Sequence, residues 1–269
     1  MNSKQLAKNI RLDVLDMIYY GNGSHVTPNF SICDILAVLY ADVLRVDCTK
    51  PLWADRDRFL LSKGHAGASV YATLAECGFF PKEKLKSYYK NGGTLSGHVL
   101  HFDNPGIDFS IGSLGQGIGV AAGKALAAKI DKKDYRVFAL IGNGECNEGA
   151  VWEAAMFAAQ NKLDNFVVII DDNKMQALGK SEEIINLSKM AQIWRDLGFA
   201  VAEVDGHNHS ELKNALLMHY SEKPLAVICN TTKGKGVSFM ENDPEWHYKK
   251  LDKEMYNKAK KQIEEGQNG

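Results

Sequence analysis

Two segments of the chain follow apolar runs and carry residue types suited to holding an anion and a cation. The first, ALIGNGECNEGAVW at 139–152, runs from an apolar stretch through Gly142, Asn143 and Gly144 into the start of a helix. Glycine lets the backbone approach a ligand, and a helix N-terminus offers unpaired N–H groups, so a diphosphate would suit this turn. A lone G-x-G also occurs where only the turn geometry needs glycine, so that interpretation stays open here.

The second segment, FVVIIDDNKMQALG at 166–179, places Asn173 directly after another apolar run, thirty residues after Asn143. That separation is about the length of one strand–helix–strand unit, which puts the two side chains on neighbouring loops. Two amide oxygens and a backbone carbonyl could then surround Mg²⁺ or Ca²⁺, because these cations favour oxygen ligands. A plain polar turn of Asp171, Asp172 and Asn173 explains the residues about equally well.

Short apolar, β-branched runs alternate along the chain with alanine-rich helical patterns. The predicted strands lie at 58–62, 137–141, 166–170, 199–204 and 225–230. The stretches 115–130 and 149–163 have the pattern of buried helices. Runs without polar alternation are typical of strands covered on both faces, so we predict an α/β fold with a parallel sheet and helices on both faces. Ligands of such sheets bind beyond the carboxyl ends of the strands, where both asparagines fall.

Composition excludes several classes of function. The chain has 269 residues, of which 45% are hydrophobic and 24% charged, and this predicts one large domain over 1–269. Lys+Arg 32 against Asp+Glu 33 give a formal net charge of −1, so no overall field attracts nucleic acid or an anionic membrane. The 5 cysteines are scattered without C-x-x-C spacing, which argues against a disulfide framework and a zinc ribbon.

The two ends and the hydropathy of the chain complete this picture. The N-terminus has the pattern of an amphipathic charged helix without the apolar core of a signal peptide, and no apolar run approaches membrane-spanning length. The tail at 258–269 is predicted to be loosely held. We therefore expect a soluble, cytoplasmic protein.

In its motifs and their order, the sequence resembles transketolases, specifically the N-terminal chain of the split, two-chain bacterial type. The family's thiamine diphosphate motif begins G-D-G and ends, one strand–helix–strand unit later, with an Asn. Here it reads GNGECNEGAVWEAAMFAAQNKLDNFVVIIDDNKMQ, at 142–176. The resemblance spans nearly the whole chain and includes RDRFLLSKGHAGASVY at 56–71, SIGSLGQGIGVAAGKALA at 110–127 and TTKGKGVSFMENDPEWH at 231–247.

The resemblance implies a thiamine diphosphate-binding domain with a defined metal and diphosphate site. Gly142, Asn143 and Gly144 would hold the cofactor diphosphate and its divalent metal, Mg²⁺ or Ca²⁺. Asn173 and the backbone carbonyl of Met175 would complete the protein ligands of the metal. Asn143 departs from the family's usual Asp.

Two further segments match family positions. Gly112, Ser113 and Leu114, the start of GSLGQG, would bind the cofactor beside the thiazolium and diphosphate, where small residues permit close contact. Close packing of helix on sheet is the alternative explanation. Glu148 matches an acidic residue that the family places near the dimer interface, in hydrogen-bond communication with the partner's catalytic glutamate. A favourable charge at a helix N-terminus is the alternative there.

Four histidines match family positions that line the cofactor and substrate channel. They are His25, His65, His98 and His247. Imidazole can hydrogen-bond sugar hydroxyls, move protons near neutral pH and, when protonated, stabilise phosphate or alkoxide charge. The resemblance assigns His65 and His247 mainly to the diphosphate side, and His25 and His98 to the substrate. SHVTPN around His25 differs from the family's usual GHPG. The remaining histidines match nothing and are expected at the surface: His101, His207, His209 and His219.

The implied activity is transfer of a two-carbon ketol unit from a ketose, or its phosphate, to an aldose. Thiamine diphosphate supplies the carbanion chemistry and the protein positions it. The family places the glutamate that engages the aminopyrimidine in a pyrimidine-binding domain, which the resemblance therefore puts on a separate C-terminal subunit, in an α2β2 assembly. The alternatives are another thiamine enzyme, such as a deoxyxylulose-phosphate synthase or a decarboxylating dehydrogenase α-chain, and a noncatalytic or regulatory subunit. The identity of the sugars stays open.

Overall fold

One five-stranded sheet organises the chain in the computed structural model, which describes residues 1–266. The strands are β1 Arg58–Leu61, β2 Val137–Gly142, β3 Phe166–Asp172, β4 Ala200–Asp205 and β5 Leu225–Asn230. Every pairing is parallel and the strand order is β1-β2-β3-β5-β4. The five predicted runs fall on these strands, so the predicted α/β fold with a parallel sheet is confirmed.

Helices and short turns make up the rest of the regular structure. In the part of the chain that the structure describes, the α-helices are α1 Ser3–Gly21, α2 Val26–Phe30, α3 Cys33–Val38, α4 Gly67–Glu76, α5 Gln116–Ile130, α6 Gly149–Gln160, α7 Ser181–Ile184, α8 Met190–Asp196, α9 His209–Leu216 and α10 Lys253–Glu265. Single turns of 3-10 helix include Gly64–Ala66, Gly144–Asn147 and Pro244–His247.

The side chains of β2 alternate between two hydrophobic cores, one on each face of the sheet. Phe138 and Leu140 pack with α1, α3 and α4. Val137, Ala139 and Ile141 pack with α5, α6 and α8. The sheet is therefore covered on both faces, which explains why its strands read as continuous apolar runs. A single domain over 1–269 stays a prediction.

The register of the sheet brings the ends of several strands to one edge. Gly142, at the end of β2, pairs with Asp171 of β3, and Asp171 pairs with Cys229 of β5. Because the strands are parallel, the loops that follow them leave the sheet together. This carboxyl edge is where open α/β sheets bind their ligands.

Two expectations about exposed or membrane-like segments were wrong. Residues 26–43 are long and apolar enough to cross a membrane by length and composition, but 78% of that stretch is buried inside the protein. The tail at 258–269 is not loose throughout, because most of it belongs to α10. Tyr256 and Ile263 of that helix are buried. Residues 267–269 lie outside the described residues.

Candidate active site

The four predicted channel histidines converge at the carboxyl edge of the sheet. The ring centroid of His25 lies 5.4 Å from that of His65, 5.9 Å from that of His98 and 5.0 Å from that of His247. The rings of His65 and His247 are 5.5 Å apart. The cluster that the resemblance implied is therefore formed. Its division into a diphosphate side and a substrate side stays a prediction.

His25 is held in an unusual backbone conformation. Its φ is 65°, in the left-handed region that few side chains adopt. The Asn29 side chain donates to the His25 carbonyl at 2.7 Å, and the backbone N–H of His25 donates to the His247 carbonyl at 3.0 Å. Strain of this kind persists only where the surroundings fix it, and it concentrates at functional sites.

Gly64 joins the segments that carry His65 and His98. A Cβ atom on Gly64 would lie 2.0 Å from the Ile111 carbonyl oxygen, which no side chain could tolerate. The backbone N–H of Val99 donates to the Gly64 carbonyl at 3.0 Å. The glycine of SKGH therefore permits the close approach that puts the two histidines in one cluster.

Burial keeps the imidazoles of His25, His65 and His247 neutral. It is the main cause that lowers the pKa of His25 to about 4, that of His247 to about 3, and that of His65 well below its usual value. Nearby positive charge on Lys63 and Lys233 lowers the pKa of His25 and His247 further. These three imidazoles are therefore hydrogen-bonding groups and bases, and they do not supply positive charge for a phosphate.

The positive charge of the site comes from two buried lysines that the sequence motifs did not reveal. The ammonium of Lys63 lies 2.6 Å from Asp171 Oδ2 and donates to the Pro28 carbonyl at 3.0 Å. Lys233 donates to the Gln176 carbonyl at 2.7 Å. Burial and then the charge of Lys63 lower the pKa of Lys233 to about 8. Both lysines lie inside segments that resemble the family, but only their depth in the fold marks them as part of the site.

Asp171, the first residue of the predicted polar turn, is buried and accepts hydrogen bonds from four side chains. Its carboxylate accepts hydrogen bonds from Ser31 Oγ at 2.7 Å, from Asn173 Nδ2 at 3.0 Å, and from Lys63 and Thr231. Burial alone would raise the pKa of Asp171, but Lys63 and these donors hold it below the usual value. Asp171 thereby fixes the side chain of Asn173 and joins the ends of β1, β3 and β5.

The predicted metal ligands lie together in one cavity. Asn143, Asn173 and Met175 all line a cavity of 620 Å³. Asn143 Nδ2 donates to Ser181 Oγ at 2.8 Å, and Asn173 Oδ1 accepts from the Met175 N–H at 3.0 Å. The prediction that the two asparagines occupy neighbouring loops is confirmed, whereas their binding of a metal stays a prediction.

A second buried carboxyl, that of Glu145, was also missed and organises the GNG turn. It accepts hydrogen bonds from Ser62 Oγ and from the backbone N–H groups of Gly115, at 2.8 Å, and Gly142, at 3.1 Å. Burial raises its pKa. The N–H of Gly142 therefore donates to Glu145 and not to a ligand. Because Gly142 has no side chain, a ligand can still come close to its backbone.

The GSLGQG segment combines accessible and tightly packed glycines. A Cβ on Gly112 would meet nothing within 4 Å, whereas one on Gly115 would lie 2.8 Å from the Cβ of Glu148, and Gly115 has φ +78°. A Cβ on Gly117 would lie 2.6 Å from the hydroxyl oxygen of Ser62, which follows β1. Close packing therefore explains Gly115 and Gly117, while Gly112–Leu114 remains open enough to contact a ligand. Glu148 is exposed at the N-terminus of α6 and makes no side-chain cap.

The four unmatched histidines divide into two groups. His101 and His219 are exposed as expected. The expectation was wrong for His207 and His209, whose side chains are only 14% and 13% exposed. Both bond the carboxylate of Asp34, from His207 Nδ1 at 2.7 Å and from His209 Nε2 at 3.1 Å. No local pattern indicated this, because Asp34 lies far from them along the chain.

The residues around the cavity fit a diphosphate cofactor. Among the described residues, His247 Nδ1 and Gln176 Nε2 are buried without a hydrogen-bond partner. A buried polar atom without a partner costs free energy, and a bound ligand could supply the missing hydrogen bonds. A Cβ on Gly144 would lie 2.9 Å from Gln176 Cγ, so the turn is as close to its neighbours as glycine permits. Lys63 and Lys233 supply the complementary charge.

Comparison with known proteins decides the family. Residues 2–266 match the family described as transketolase, thiamine diphosphate binding domain. The chain belongs to the transketolase family. It is therefore a transketolase thiamine diphosphate-binding domain, as the resemblance of its motifs implied.

The relatives of this transketolase chain include proteins of similar length. It is 38% identical to an apulose-4-phosphate transketolase subunit of Phocaeicola vulgatus, over 95% of this chain and 91% of the relative. It is 41% identical to a 6-deoxy-6-sulfo-D-fructose transketolase subunit of a Clostridium species, over 89% of this chain and 88% of the relative. The transketolase structure from Campylobacter jejuni superposes with a TM-score of 0.92 at 32% identity, covering 98% of this chain and 43% of that chain.

The neutral histidines predict a loss of stability in mild acid. An unfolded histidine takes up a proton below its ordinary pKa of 6.5, whereas folded His247 does so only near 3. Protons therefore bind the unfolded chain preferentially as the pH falls through this window. We expect His247 alone to lower the free energy of unfolding by about 1.5 kcal/mol between pH 6.5 and pH 5.

Urea denaturation of wild type and His247→Gln at several pH values measures this effect. The variant should lose distinctly less stability than wild type over the same pH interval. His219→Gln, which changes an exposed histidine, should behave as wild type does. If the free energy of unfolding falls by the same amount with pH in wild type and in His247→Gln, the fold does not hold His247 neutral.

Proposed function

We propose that this chain is the thiamine diphosphate-binding half of a two-chain transketolase. With a C-terminal subunit that carries a pyrimidine-binding domain, it would move a two-carbon ketol unit from a ketose, or its phosphate, to an aldose. The observation that carries the proposal is the convergence of the four histidines and two buried lysines beside the asparagine cavity. Two relatives that this chain matches over 91% and 88% of their length are named as subunits of transketolases. Their names support the two-chain arrangement.

When bound, thiamine diphosphate would supply the carbanion chemistry that the transfer of a two-carbon unit needs. The residues of this chain bind and orient. Lys63 and Lys233 balance the charge of the diphosphate, and the imidazoles of His25 and His98 hydrogen-bond sugar hydroxyls and exchange protons with them. Burial of Lys63 and Lys233 excludes water around their side chains, which strengthens their contacts with the diphosphate.

We further propose that a hard divalent cation, Mg²⁺ or Ca²⁺, accompanies the diphosphate. The Asn143 and Asn173 side-chain oxygens and the Met175 carbonyl suit such a cation, since it prefers oxygen ligands. Among the described residues, no group of three or more His, Cys, Asp or Glu side chains could hold a metal ion. The protein ligands would then be uncharged, and the negative charge would come from the diphosphate.

Replacing Asn143 with Asp is expected to tighten Mg²⁺ binding. A carboxylate attracts the cation with a full charge where the amide offers a dipole, and we expect a gain of roughly 1 kcal/mol at this partly buried position. The geometry should survive, because Ser181 Oγ, which accepts from Asn143 at 2.8 Å, can donate to a carboxylate instead. Repulsion between the carboxylate and the diphosphate opposes the gain but acts over a longer distance.

Titration of Mg²⁺ into cofactor-loaded wild type and Asn143→Asp measures the difference. Asn173→Ala removes an oxygen ligand and serves as the matched variant that should weaken binding. Equal or weaker Mg²⁺ affinity in Asn143→Asp would remove residue 143 from the ligand set.

The partner subunit would dock beside Glu148. Helices α5 and α6 pack on each other and leave apolar side chains exposed, with Ile130, Met156 and Phe157 at 70%, 53% and 41% exposure. Gly119 and Gly123 of α5 face open space, so another chain can approach its backbone. This surface, α5, α6 and Gly112–Leu114, adjoins the GNG turn, so a partner on it would reach the cofactor. We propose α2β2 stoichiometry and, since all five cysteines are free thiols, a reducing cytoplasmic location.

Coexpression with a candidate pyrimidine-domain chain tests the proposal. The purified pair would be given thiamine diphosphate, Mg²⁺ and a panel of ketose and ketose-phosphate donors with aldose acceptors, and products would be identified by mass spectrometry. The names of the relatives make apulose-4-phosphate and 6-deoxy-6-sulfo-D-fructose useful members of that panel. Cofactor binding without transfer to any acceptor would instead support a noncatalytic or regulatory subunit.

A further inference from the structure

A buried cluster behind the active site joins α1, α3 and the turn after β4. Asp34, near the start of α3, accepts hydrogen bonds from Arg11, from His207 Nδ1 at 2.7 Å and from His209 Nε2 at 3.1 Å. Burial opposes the charge on Asp34, but Arg11 and the two histidines hold its pKa well below the usual value. One buried carboxylate thus anchors three side chains from different parts of the chain.

The second ring nitrogen of His207 reaches the active-site loop. His207 Nε2 accepts a hydrogen bond from the backbone N–H of Thr232 at 2.8 Å. A backbone N–H can only donate, so Nε2 carries no proton and Nδ1 must be the nitrogen that donates to Asp34. Asp34 therefore selects the tautomer of His207 that can hold Thr232.

The neighbouring glycine brings this turn into contact with the loop. A Cβ on Gly206 would lie 2.3 Å from Thr231 Cγ2 and 3.1 Å from the Asn230 carbonyl oxygen. The Gly206 N–H donates to that same carbonyl at 2.8 Å. Only glycine permits so close an approach, which places the imidazole of His207 against Thr232.

The loop that His207 holds carries Lys233. Thr232 precedes this lysine, and Arg11 Nε donates to the Lys235 carbonyl at 3.2 Å on its other side. Lys233 itself is 2% exposed and crosses to the Gln176 carbonyl, next to the Met175 carbonyl of the proposed metal site. The Asp34 cluster therefore holds the backbone on both sides of Lys233, whose ammonium bonds the segment that carries the proposed metal ligand Met175.

We propose that His207 is a positioning residue for the active site: with its tautomer set by Asp34, it holds the Thr232 N–H and thereby the direction in which Lys233 crosses to the segment that carries the proposed metal ligands. The consequence for cofactor binding rests on the proposed function. His209 differs in kind, because its other nitrogen contacts Ser3 Oγ at 2.9 Å and not the loop. His209 shares the carboxylate with His207 but joins α9 to α1 and α3 rather than to the loop.

Two substitutions separate the two contacts of His207. The amide of Asn can take the place of Nδ1, so His207→Asn keeps a donor for Asp34 and loses the acceptor for Thr232. The longer Gln side chain can place its oxygen where Nε2 lies, so His207→Gln keeps the acceptor for Thr232. His209→Gln is the matched control, since it alters the same carboxylate cluster without touching the loop.

Amide hydrogen exchange and calorimetry with thiamine diphosphate and Mg²⁺ give the two readouts, after thermal melting has shown that each variant is folded. In His207→Asn we expect faster exchange at Thr232 and Lys233 and cofactor affinity lower by about tenfold, as for other residues that orient a binding group. His207→Gln should stay within about threefold of wild type. His209→Gln should leave both the exchange at Thr232 and the affinity unchanged.

The proposal is overturned if His207→Asn leaves exchange at Thr232 or cofactor affinity as in wild type, or if His209→Gln lowers affinity as much. The exchange comparison needs no cofactor. Failure of wild type to bind thiamine diphosphate would therefore defeat the proposed function, while the anchoring of the loop would still be decided by exchange.

Discussion

Replacing Asp171 with Asn is expected to lower the free energy of unfolding by about 3–5 kcal/mol, the usual cost of removing one partner from a buried ion pair. The side chains of Asp171 and Lys63 are 0% and 3% exposed, so the ammonium of Lys63 would stay in the protein without a counter-charge. The carboxamide would also lose acceptor capacity for Ser31 and Thr231. Urea denaturation at pH 7 gives the value.

Two comparisons make this prediction specific to the buried pair. Glu222→Gln removes a carboxylate from the exposed pair with Lys162, whose side chains are 66% and 58% exposed, and should cost less than about 1 kcal/mol. Combining Asp171→Leu with Lys63→Met removes both charges and should be less destabilising than either single change. A loss in Asp171→Asn no larger than that in Glu222→Gln would show that the pair carries no special weight.

The second large effect concerns turnover. The cofactor-loaded chain alone is expected to show no measurable ketol transfer, and addition of a pyrimidine-domain partner should raise the rate by at least about a hundredfold, the lower range for a general acid or base. The reason is that the activating glutamate would come from the partner, across the surface formed by α5, α6 and Gly112–Leu114.

Steady-state assays of the single chain and of the reconstituted pair measure this difference. In the pair, Met156→Glu puts a charge on the exposed face of α6 and should weaken assembly without disturbing the fold. Lys162→Glu, on another exposed position, is the matched control. Substantial turnover by a rigorously purified single chain would exclude the two-chain proposal.

The fold could be predicted from sequence because its signal is local. The strands β1, β2, β3 and β5 contain short apolar runs, and covering both faces of a parallel sheet removes the polar alternation that would obscure them. The loops after β2 and β3 could likewise be placed together, since parallel strands end at the same edge. Asn143 and Asn173 were found by that argument alone.

The charged interior of the site could not be predicted in the same way. Lys63, Lys233, Glu145 and Asp171 are residue types usually found at the surface, and their depth follows from tertiary contacts that no window of sequence contains. The neutral state of His25, His65 and His247 depends on burial and on nearby lysines, so it too is a property of the folded chain. The buried positions of His207 and His209 were missed because their shared carboxylate partner is remote in sequence.

The hydrogen bond from the His25 N–H to the His247 carbonyl has a consequence for biosynthesis. The two residues stand near opposite ends of the chain, and the strands that support the cluster are added between them. During translation the helices α1 and α4 can form early, but the imidazole cluster must wait until the turn Pro244–His247 has left the ribosome. Lys233 lies on the segment just before that turn and leaves the ribosome almost together with it, so the second buried lysine and the last histidine of the cluster are added together, after all five strands.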